Sequence, residues 1–221
     1  RRGAVDTHRD AADFRANKAH RPHMFEFMVK YPRKALLIVG ITIAGTISYY
    51  MWTTYLPTYA ETNVNYDPDR ALAVSTIALA FFGLLQPVMG MLSDRIGRKP
   101  MLLGFSIGLA ILTVPLLNAV TTSFTSLLLV SLVAMVFVSG YTSIAAAVMV
   151  EMFPSRVRAT GIGFPYSLTV AVFGGTAPYI GTYLSDHDLG SLFPWYIVAL
   201  TVISLVVYIF IRETKNDPLP E

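Results

Sequence analysis

The sequence predicts an all-α membrane protein with six transmembrane helices, and three observations support that fold class. Hydrophobic residues make up 54% of the chain and charged residues only 14%, whereas an ordinary soluble domain carries about 25% charged residues. Six apolar runs are each close to the roughly 20 residues that a helix needs to span about 30 Å of hydrocarbon. The basic residues fall almost entirely on alternate loops, as they do in a protein that inserts with its positive loops on one side.

The chain begins with a polar, basic segment, residues 1–34, which holds nine Lys/Arg, four Asp/Glu and three His. We expect a cytoplasmic linker here, in which residues 24–29 form a short amphipathic helix on the bilayer surface before Tyr31-Pro32 ends it. Disorder is the equal alternative for residues 1–20. Charged residues occupy the place of an apolar h-region, so no signal peptide is expected. Because the chain starts with Arg, we expect a fragment or a processed product.

Six apolar runs follow and define a transmembrane bundle over residues 35–211, with a short cytoplasmic tail at 212–221. Their approximate limits are 35–59, 71–92, 101–118, 124–149, 160–184 and 194–211. Lipid offers no hydrogen bonds to exposed backbone, so these runs must be helices. The segments between them are too short to fold as separate domains, and an even number of spans returns both termini to the same side.

The basic residues predict the orientation of the bundle. Nine Lys/Arg lie before the first run, three in the loop 93–100, two in the loop 150–159 and two after the last run, whereas Arg70 lies on the opposite side. The positive-inside rule places both termini in the cytoplasm. This sidedness belongs to membrane insertion, so nucleic-acid binding is not expected.

The residue inventory gives little support to an enzyme or a metal site. The sequence has no cysteine, which excludes a disulfide framework and a thiolate metal site. The four histidines, His8, His20, His23 and His187, lack the i, i+4 pairing of a helical zinc site. Asp94 lies in an exposed turn, and the sequence shows neither a nucleophile with its base nor a phosphate-binding loop. We therefore expect no catalytic activity, no metal and no cofactor.

A compact charged turn, Gly90 to Pro100 with the sequence GMLSDRIGRKP, joins the second and third apolar runs. A loop this short makes the two helices antiparallel neighbours. We expect Asp94 to accept hydrogen bonds from the free amides at the N-terminus of a neighbouring helix and from Arg98. The alternative is that the cations of this turn serve only membrane topology.

The pattern G-x-L-S-D-R-x-G-R-K-P in this turn resembles the signature loop of the major facilitator superfamily of secondary transporters. The pattern E-x-F-P-x-R-x-R-x-x-G at residues 151–161 is similar to a second loop of that superfamily. Their order implies that the chain corresponds to helices seven to twelve of twelve, whose partner is an N-terminal six-helix half. The resemblance also implies a gate, in which Glu151 pairs with Arg156 or Arg158. The residues of this gate are Gly90, Asp94, Arg95, Gly97, Arg98, Glu151, Arg156 and Arg158.

Three further stretches, residues 49–59, 86–90 and 173–178, resemble the metabolite:proton symporter family within that superfamily. They resemble its 2-oxoglutarate permease and proline/betaine transporter branches about equally. The resemblance implies proton-coupled symport of a small organic acid such as 2-oxoglutarate across a bacterial inner membrane, with an osmolyte such as proline or betaine as the alternative. An interpretation of another class, a non-transporting membrane sensor or assembly protein, stays open.

Polar groups at mid-membrane depth are the candidates for a substrate cavity, because an unpaired polar group in hydrocarbon costs several kcal/mol. One face of the first run is small and aromatic, and its hydroxyl and indole donors could hold a carboxylate. The neighbouring proline at position 87 frees a carbonyl on the second run. Six residues are candidates: Tyr49, Tyr50, Trp52, Gln86, Tyr141 and Tyr166. The alternatives are an aromatic belt for the first run and helix packing for the other residues.

The fifth run contains an interruption, the sequence GGTAP at residues 174–178. Glycine weakens a helix and proline breaks its hydrogen-bond ladder, so Gly174, Gly175 and Pro178 are candidates for a helix break at which a transporter binds substrate or bends. Close packing through small residues is the alternative. The central part of each run lacks Asp, Glu, Lys, Arg and His. The resemblance therefore implies that the coupling carboxylate and the anion-binding arginine lie in the N-terminal six helices.

Overall fold

The computed structural model describes residues 32–152 and 155–215, with side chains outside 152–161. The predicted linker, with its surface helix at 24–29, therefore lies almost wholly outside the described residues. The described part forms nine α-helices: α1 Pro32–Tyr50, α2 Leu56–Val64, α3 Pro68–Ile96, α4 Arg98–Asn118, α5 Phe124–Thr142, α6 Ala145–Met152, α7 Ser155–Thr169, α8 Ala177–Asp186 and α9 Phe193–Phe210. A π turn, Met51–Tyr55, joins α1 to α2, a second π turn, Val170–Gly174, follows α7, and a 3₁₀ turn, Gly190–Leu192, precedes α9.

Five helical segments of the described residues are long and apolar enough to cross a membrane. They are Pro32–Val64, Pro68–Ile96, Arg98–Asn118, Phe124–Glu151 and Gly190–Phe210. The remaining predicted run, 160–184, is built from α7, the second π turn and α8, and a turn at Gly175 and Thr176 divides it. This interrupted segment makes the sixth span. The prediction of an all-α membrane protein with the six-helix architecture is confirmed.

The first span supplies the central helix of the core. Every residue of α1 from 40 to 48 is buried, as expected of a helix that is apolar on all sides, and α1 packs against both α7 and α9. Two buried hydrogen bonds fix α9 on α1. The Tyr208 hydroxyl donates to the carbonyl of Ile41 over 2.6 Å, and the Ser204 hydroxyl accepts from the Ala44 N–H over 2.9 Å. Such interhelical bonds contribute to association where lipid removes the hydrophobic driving force.

The outer surface of the bundle is apolar. The helix α3 packs against α5 and α4 packs against both α5 and α9, but only 11% of the most apolar window of α3 is buried. Large apolar side chains are exposed on α3 and α9, among them Leu84 at 76% and Phe210 at 83%. Contiguous apolar surface of this extent is unusual in a soluble monomer. The surface is suited to lipid, and the chain is a multi-pass membrane protein.

Candidate functional site

A cavity of about 530 Å³ opens between α1, α5, α6 and α7. Hydroxyl-bearing side chains form one part of its wall: Thr46, Tyr49, Tyr50, Tyr141, Thr142 and Tyr166. Apolar side chains form most of the rest, including Ala145, Ala146, Met149, Val150 and Ile162. Among residues with described side chains, the wall contains no Asp, Glu, Lys, Arg or His. The cavity can therefore offer neutral hydrogen bonds and aromatic faces to a small solute, but no formal charge.

Four of the six residues predicted for a cavity line this one: Tyr49, Tyr50, Tyr141 and Tyr166. Trp52 does not, because its side chain is buried in the core with 1% exposure. Trp52 is the second residue of a π turn, Met51–Tyr55, in which the chain departs from α-helical periodicity. The indole N–H of Trp52 has no hydrogen-bond partner among the described residues.

Gln86 lies behind the cavity wall rather than in it. Its amide oxygen accepts a hydrogen bond from the Thr142 hydroxyl over 3.1 Å, and its amide nitrogen donates to the carbonyl of Phe82 over 3.4 Å. The contact joins α3 to the last residue of α5. Gln86 was predicted as a cavity residue, but the residue that reaches the cavity from this pair is Thr142.

Glycines on two spans let aromatic rings approach the backbone beside the cavity. A Cβ atom on Gly45 would lie 1.9 Å from Cε1 of Tyr141, so the ring can occupy its place only against glycine. A Cβ atom on Gly174 would lie 2.7 Å from Cδ2 of Tyr50. Gly174 therefore allows α1 to pack against the second π turn. Gly175 lies in the turn that follows, and Pro178 is the second residue of α8.

A second group of polar residues lies at the end of the bundle where α3 meets α4. We call it the charged cluster, and it consists of Asp94, Arg98, Glu151 and Glu213. The Arg98 guanidinium contacts Asp94 Oδ1 at 2.6 Å and Glu151 Oε1 at 3.3 Å. The other Glu151 oxygen accepts from the Thr214 hydroxyl over 2.5 Å. Arg98 therefore ties together the ends of α3, α4 and α6, and Thr214 adds the segment that follows α9.

The N-terminus of α4 is capped by a residue that the sequence did not reveal. Glu213 accepts from the backbone N–H of Arg98 over 2.9 Å and from that of Lys99 over 3.0 Å. Asp94, which we expected to accept from such amides, bonds the Arg98 side chain instead, and its own side chain is 67% exposed. Burial would raise the pKa of Glu213, but four backbone N–H groups, those of Arg98, Lys99, Lys215 and Thr214, outweigh it and hold the pKa below its usual value.

The remaining gate candidates are Gly90, Arg95, Gly97, Arg156 and Arg158. Gly97 forms the whole connection between α3 and α4, with φ at 106°, a left-handed conformation that favours glycine. The carbonyl of Arg95 accepts from the Lys215 ammonium over 2.6 Å. Gly90 lies within α3, where a Cβ atom would meet nothing within 4 Å. The side chains of Arg156 and Arg158 lie outside the described residues, so the predicted pairing with Glu151 stays a prediction.

Comparison with known proteins gives one family and a set of related membrane transporters. The family model of the Major Facilitator Superfamily matches residues 23–221. Alpha-ketoglutarate permease of Escherichia coli is 36% identical over 82% of this chain and 42% of its own length. Proline/betaine transporter of Escherichia coli is 30% identical over 88% of this chain and 39% of its own length.

A third relative has a different stated substrate. Citrate-proton symporter of Salmonella typhi is 30% identical over 90% of this chain and 48% of its own length. The chain thus spans about two fifths to one half of the length of these curated relatives. No solved structure gives a significant match to the chain.

Proposed function

The chain belongs to the major facilitator superfamily, and from this membership we propose that it is the C-terminal six-helix half of a secondary transporter. The transporter carries out proton-coupled symport of a small organic acid, such as 2-oxoglutarate, by alternating access. The observation that carries this proposal is the cavity between α1, α5, α6 and α7, whose hydroxyl groups face a space of about 530 Å³. A cavity of that size suits a small solute.

The chemistry of the cavity supports, within this proposal, a different role for each of the two halves. The tyrosine hydroxyls of this half can hydrogen-bond a carboxylate, but they do not neutralise its charge. A proton-coupled carrier needs a titratable group in its pathway, and the wall described here contains none except tyrosine. The coupling carboxylate and the cation that balances an anionic substrate therefore belong to the complementary N-terminal half.

The distribution of charge supports a cytoplasmic location for both termini, in a bacterial inner membrane. At the end where α3 meets α4 lie Arg95, Arg98, Lys99 and Lys215. At the opposite end the loops carry mostly acidic residues, namely Glu61, Asp67, Asp69, Asp186 and Asp188, with Arg70 among them. The positive-inside rule assigns the first of these ends to the cytoplasm.

The charged cluster has a proposed role as a cytoplasmic gate. Its ion pairs and caps lie within this half, where they hold the ends of α3, α4 and α6 together. Asp94 is the exposed member, at 67%, and is therefore the one available to a complementary half. In this proposal the cluster stabilises one closed arrangement of the cytoplasmic side, and the contact of Asp94 with the other half breaks when the halves rock.

A second candidate substrate class is a zwitterionic osmolyte such as proline or betaine. It is favoured by the similarity to Proline/betaine transporter, which is 30% identical over 88% of this chain. Aromatic faces in the cavity, such as those of Tyr49 and Tyr50, could contact a cationic amine.

Uptake of radiolabelled solutes by cells that express the full-length protein tests the proposal. We expect uptake of 2-oxoglutarate that a protonophore abolishes. Uptake of proline or betaine without uptake of 2-oxoglutarate would favour the osmolyte class. If the membrane-inserted protein takes up no small acid or zwitterion, the interpretation as a sensor or assembly protein replaces that of a transporter.

A further inference from the structure

We propose that Thr142 is a specificity residue of the cavity. Its hydroxyl oxygen presents lone pairs to the solute and so selects a solute that carries an N–H or O–H donor. The inference rests on the proposed transport function and narrows its substrate class. It depends on three residues that the structure places in a chain of hydrogen bonds: Phe82, Gln86 and Thr142.

The direction of the proton at Thr142 follows from the orientation of the Gln86 amide. One end of this amide lies 3.4 Å from the carbonyl of Phe82. A backbone carbonyl can only accept a hydrogen bond, so the amide nitrogen must be the atom that faces Phe82. The amide oxygen then faces Thr142 at 3.1 Å, and the Thr142 hydroxyl must be the donor in that contact.

The second hydrogen-bond partner of Thr142 leads to the same result. Its hydroxyl also lies 3.2 Å from the carbonyl of Val138, one turn back on α5. A threonine hydroxyl has one proton and two lone pairs, and both partners are acceptors. Whichever of them receives the proton, the oxygen has only lone pairs left for a ligand in the cavity. Lone pairs attract an N–H or O–H group and repel a carboxylate oxygen.

The tyrosines of the cavity complement this acceptor. The hydroxyls of Tyr49, Tyr50 and Tyr166 make no hydrogen bond to the described residues, and all three residues line the cavity with Thr142. They remain able to donate to a carboxylate. The wall therefore fits a solute with a carboxylate at one point and a donor at another, such as an amino or imino acid or a 2-hydroxy acid. It fits a fully substituted betaine, or a 2-oxo acid without such a donor, less well.

Gln86 is a supporting contact of Thr142 rather than a specificity residue. It lies on α3, outside the cavity wall, and reaches the solute only through Thr142. If Gln86 is replaced by leucine, the Val138 carbonyl remains as an acceptor for the Thr142 proton, so the preference for a donor-bearing solute should be retained. Only the loss of the Thr142 hydroxyl itself should reduce that preference.

The test compares KM for related solutes with and without the donor, and the effect of each variant is read from the change in the KM ratio. Two pairs are used with the full-length protein, proline against N,N-dimethylproline and 2-hydroxyglutarate against 2-oxoglutarate. Wild type should prefer the donor-bearing member of each pair that it transports. Thr142→Val should reduce that preference by about three- to tenfold, the factor that one hydrogen bond supports, and Thr142→Ser should retain it. Thr76→Val is the matched control, since the Thr76 hydroxyl bonds the carbonyl of Leu72 on its own helix, outside the cavity wall.

The possible outcomes separate this inference from the proposed function. An unchanged KM ratio in Thr142→Val, with transport intact, overturns the role of Thr142 and leaves the transporter in place. If wild type transports none of the four solutes, the proposed function fails and the role of Thr142 fails with it. If Thr142→Val does not insert, Thr142→Ala decides, because it also removes the hydroxyl: a reduced preference supports the role and a wild-type ratio overturns it.

Discussion

Replacing Glu213 by glutamine should destabilise the end of the bundle at which α3 meets α4. The Glu213 carboxylate accepts from the N–H groups of Arg98 and Lys99, which are the first free amides of α4. Loss of a helix cap costs about 0.5–2 kcal/mol, and loss of a negative charge at the positive end of a helix costs about 0.3–1 kcal/mol. Because Glu213 is only partly buried, we expect a total of about 1 kcal/mol, which lowers the Tm by about 2–4 °C for a chain of this length and by less for a longer protein.

The pH dependence of this effect follows from the lowered pKa of Glu213. A carboxyl whose pKa is lower in the folded state contributes its full stabilisation above the pKa of the unfolded state, about 4.3 for glutamate. That stabilisation is lost as the pH falls through the pKa of the folded state. The difference in Tm between wild type and Glu213→Gln should therefore be present at neutral pH and should shrink below about pH 4.

Thermal unfolding of the purified full-length protein in detergent measures both effects. Glu61→Gln is the matched control, since the side chain of Glu61 on α2 makes no hydrogen bond or ion pair within the described residues. This variant should unfold as wild type does. An unchanged Tm for Glu213→Gln at neutral pH would refute the capping role. A loss of Tm that stays the same at acid pH would show that the effect of the substitution does not arise from the charge.

Two further predictions concern the cavity. Gly45→Ala puts a Cβ atom 1.9 Å from the Tyr141 ring and should cost about 1–3 kcal/mol of stability, which is measured as a lower Tm. The control is Gly104→Ala, which has no neighbouring atom within 4 Å of the new Cβ and should leave the Tm unchanged or raise it. Tyr166→Phe removes a hydroxyl from the wall and should raise KM about two- to tenfold, whereas Tyr179→Phe, whose ring is 69% exposed outside the cavity, should not. Equal effects within either pair would contradict the assigned position.

The membrane fold was accessible to sequence reasoning because it depends on signals that are local and strong. Twenty apolar residues in succession have few alternatives to a spanning helix. The ends of the helices were less predictable. The second run was placed at 71–92, but α3 extends from Pro68 to Ile96, since Ser93 to Ile96 continue the helix and a single glycine makes the turn.

The sequence indicated cavity-lining residues where the helix keeps its regular periodicity, and it failed to do so where that periodicity is interrupted. Tyr49 and Tyr50 precede the first π turn, so an ideal helix describes their direction. Trp52 lies inside that turn, and no residue pattern in the sequence signalled the extra residue. The role of Thr142 was not predicted, because it depends on an interhelical contact with Gln86, which lies 56 positions away in the sequence.

The charged cluster shows the same division between local and distant contacts. The pair of Asp94 and Arg98, which was expected, is an i, i+4 contact between neighbouring helix ends. Glu151, which binds the Arg98 side chain, lies 53 positions from Arg98 in the sequence. Glu213, which caps the Arg98 backbone, lies 115 positions from it. A signal was present in the sequence, since Glu213 is an acidic residue directly after the last span, between Arg212 and Lys215.

The structure also shows why the cavity and the charged cluster are separate in chemistry but close in space. A charge inside the bilayer is costly, so this half keeps its ion pairs at the helix ends and lines its cavity with hydroxyl groups. The helix α6 belongs to both sites: Met149 and Val150 line the cavity, and the next residue, Glu151, accepts from Arg98. The helix α6 therefore links the cavity wall to the ion pair that holds the ends of α3, α4 and α6 together.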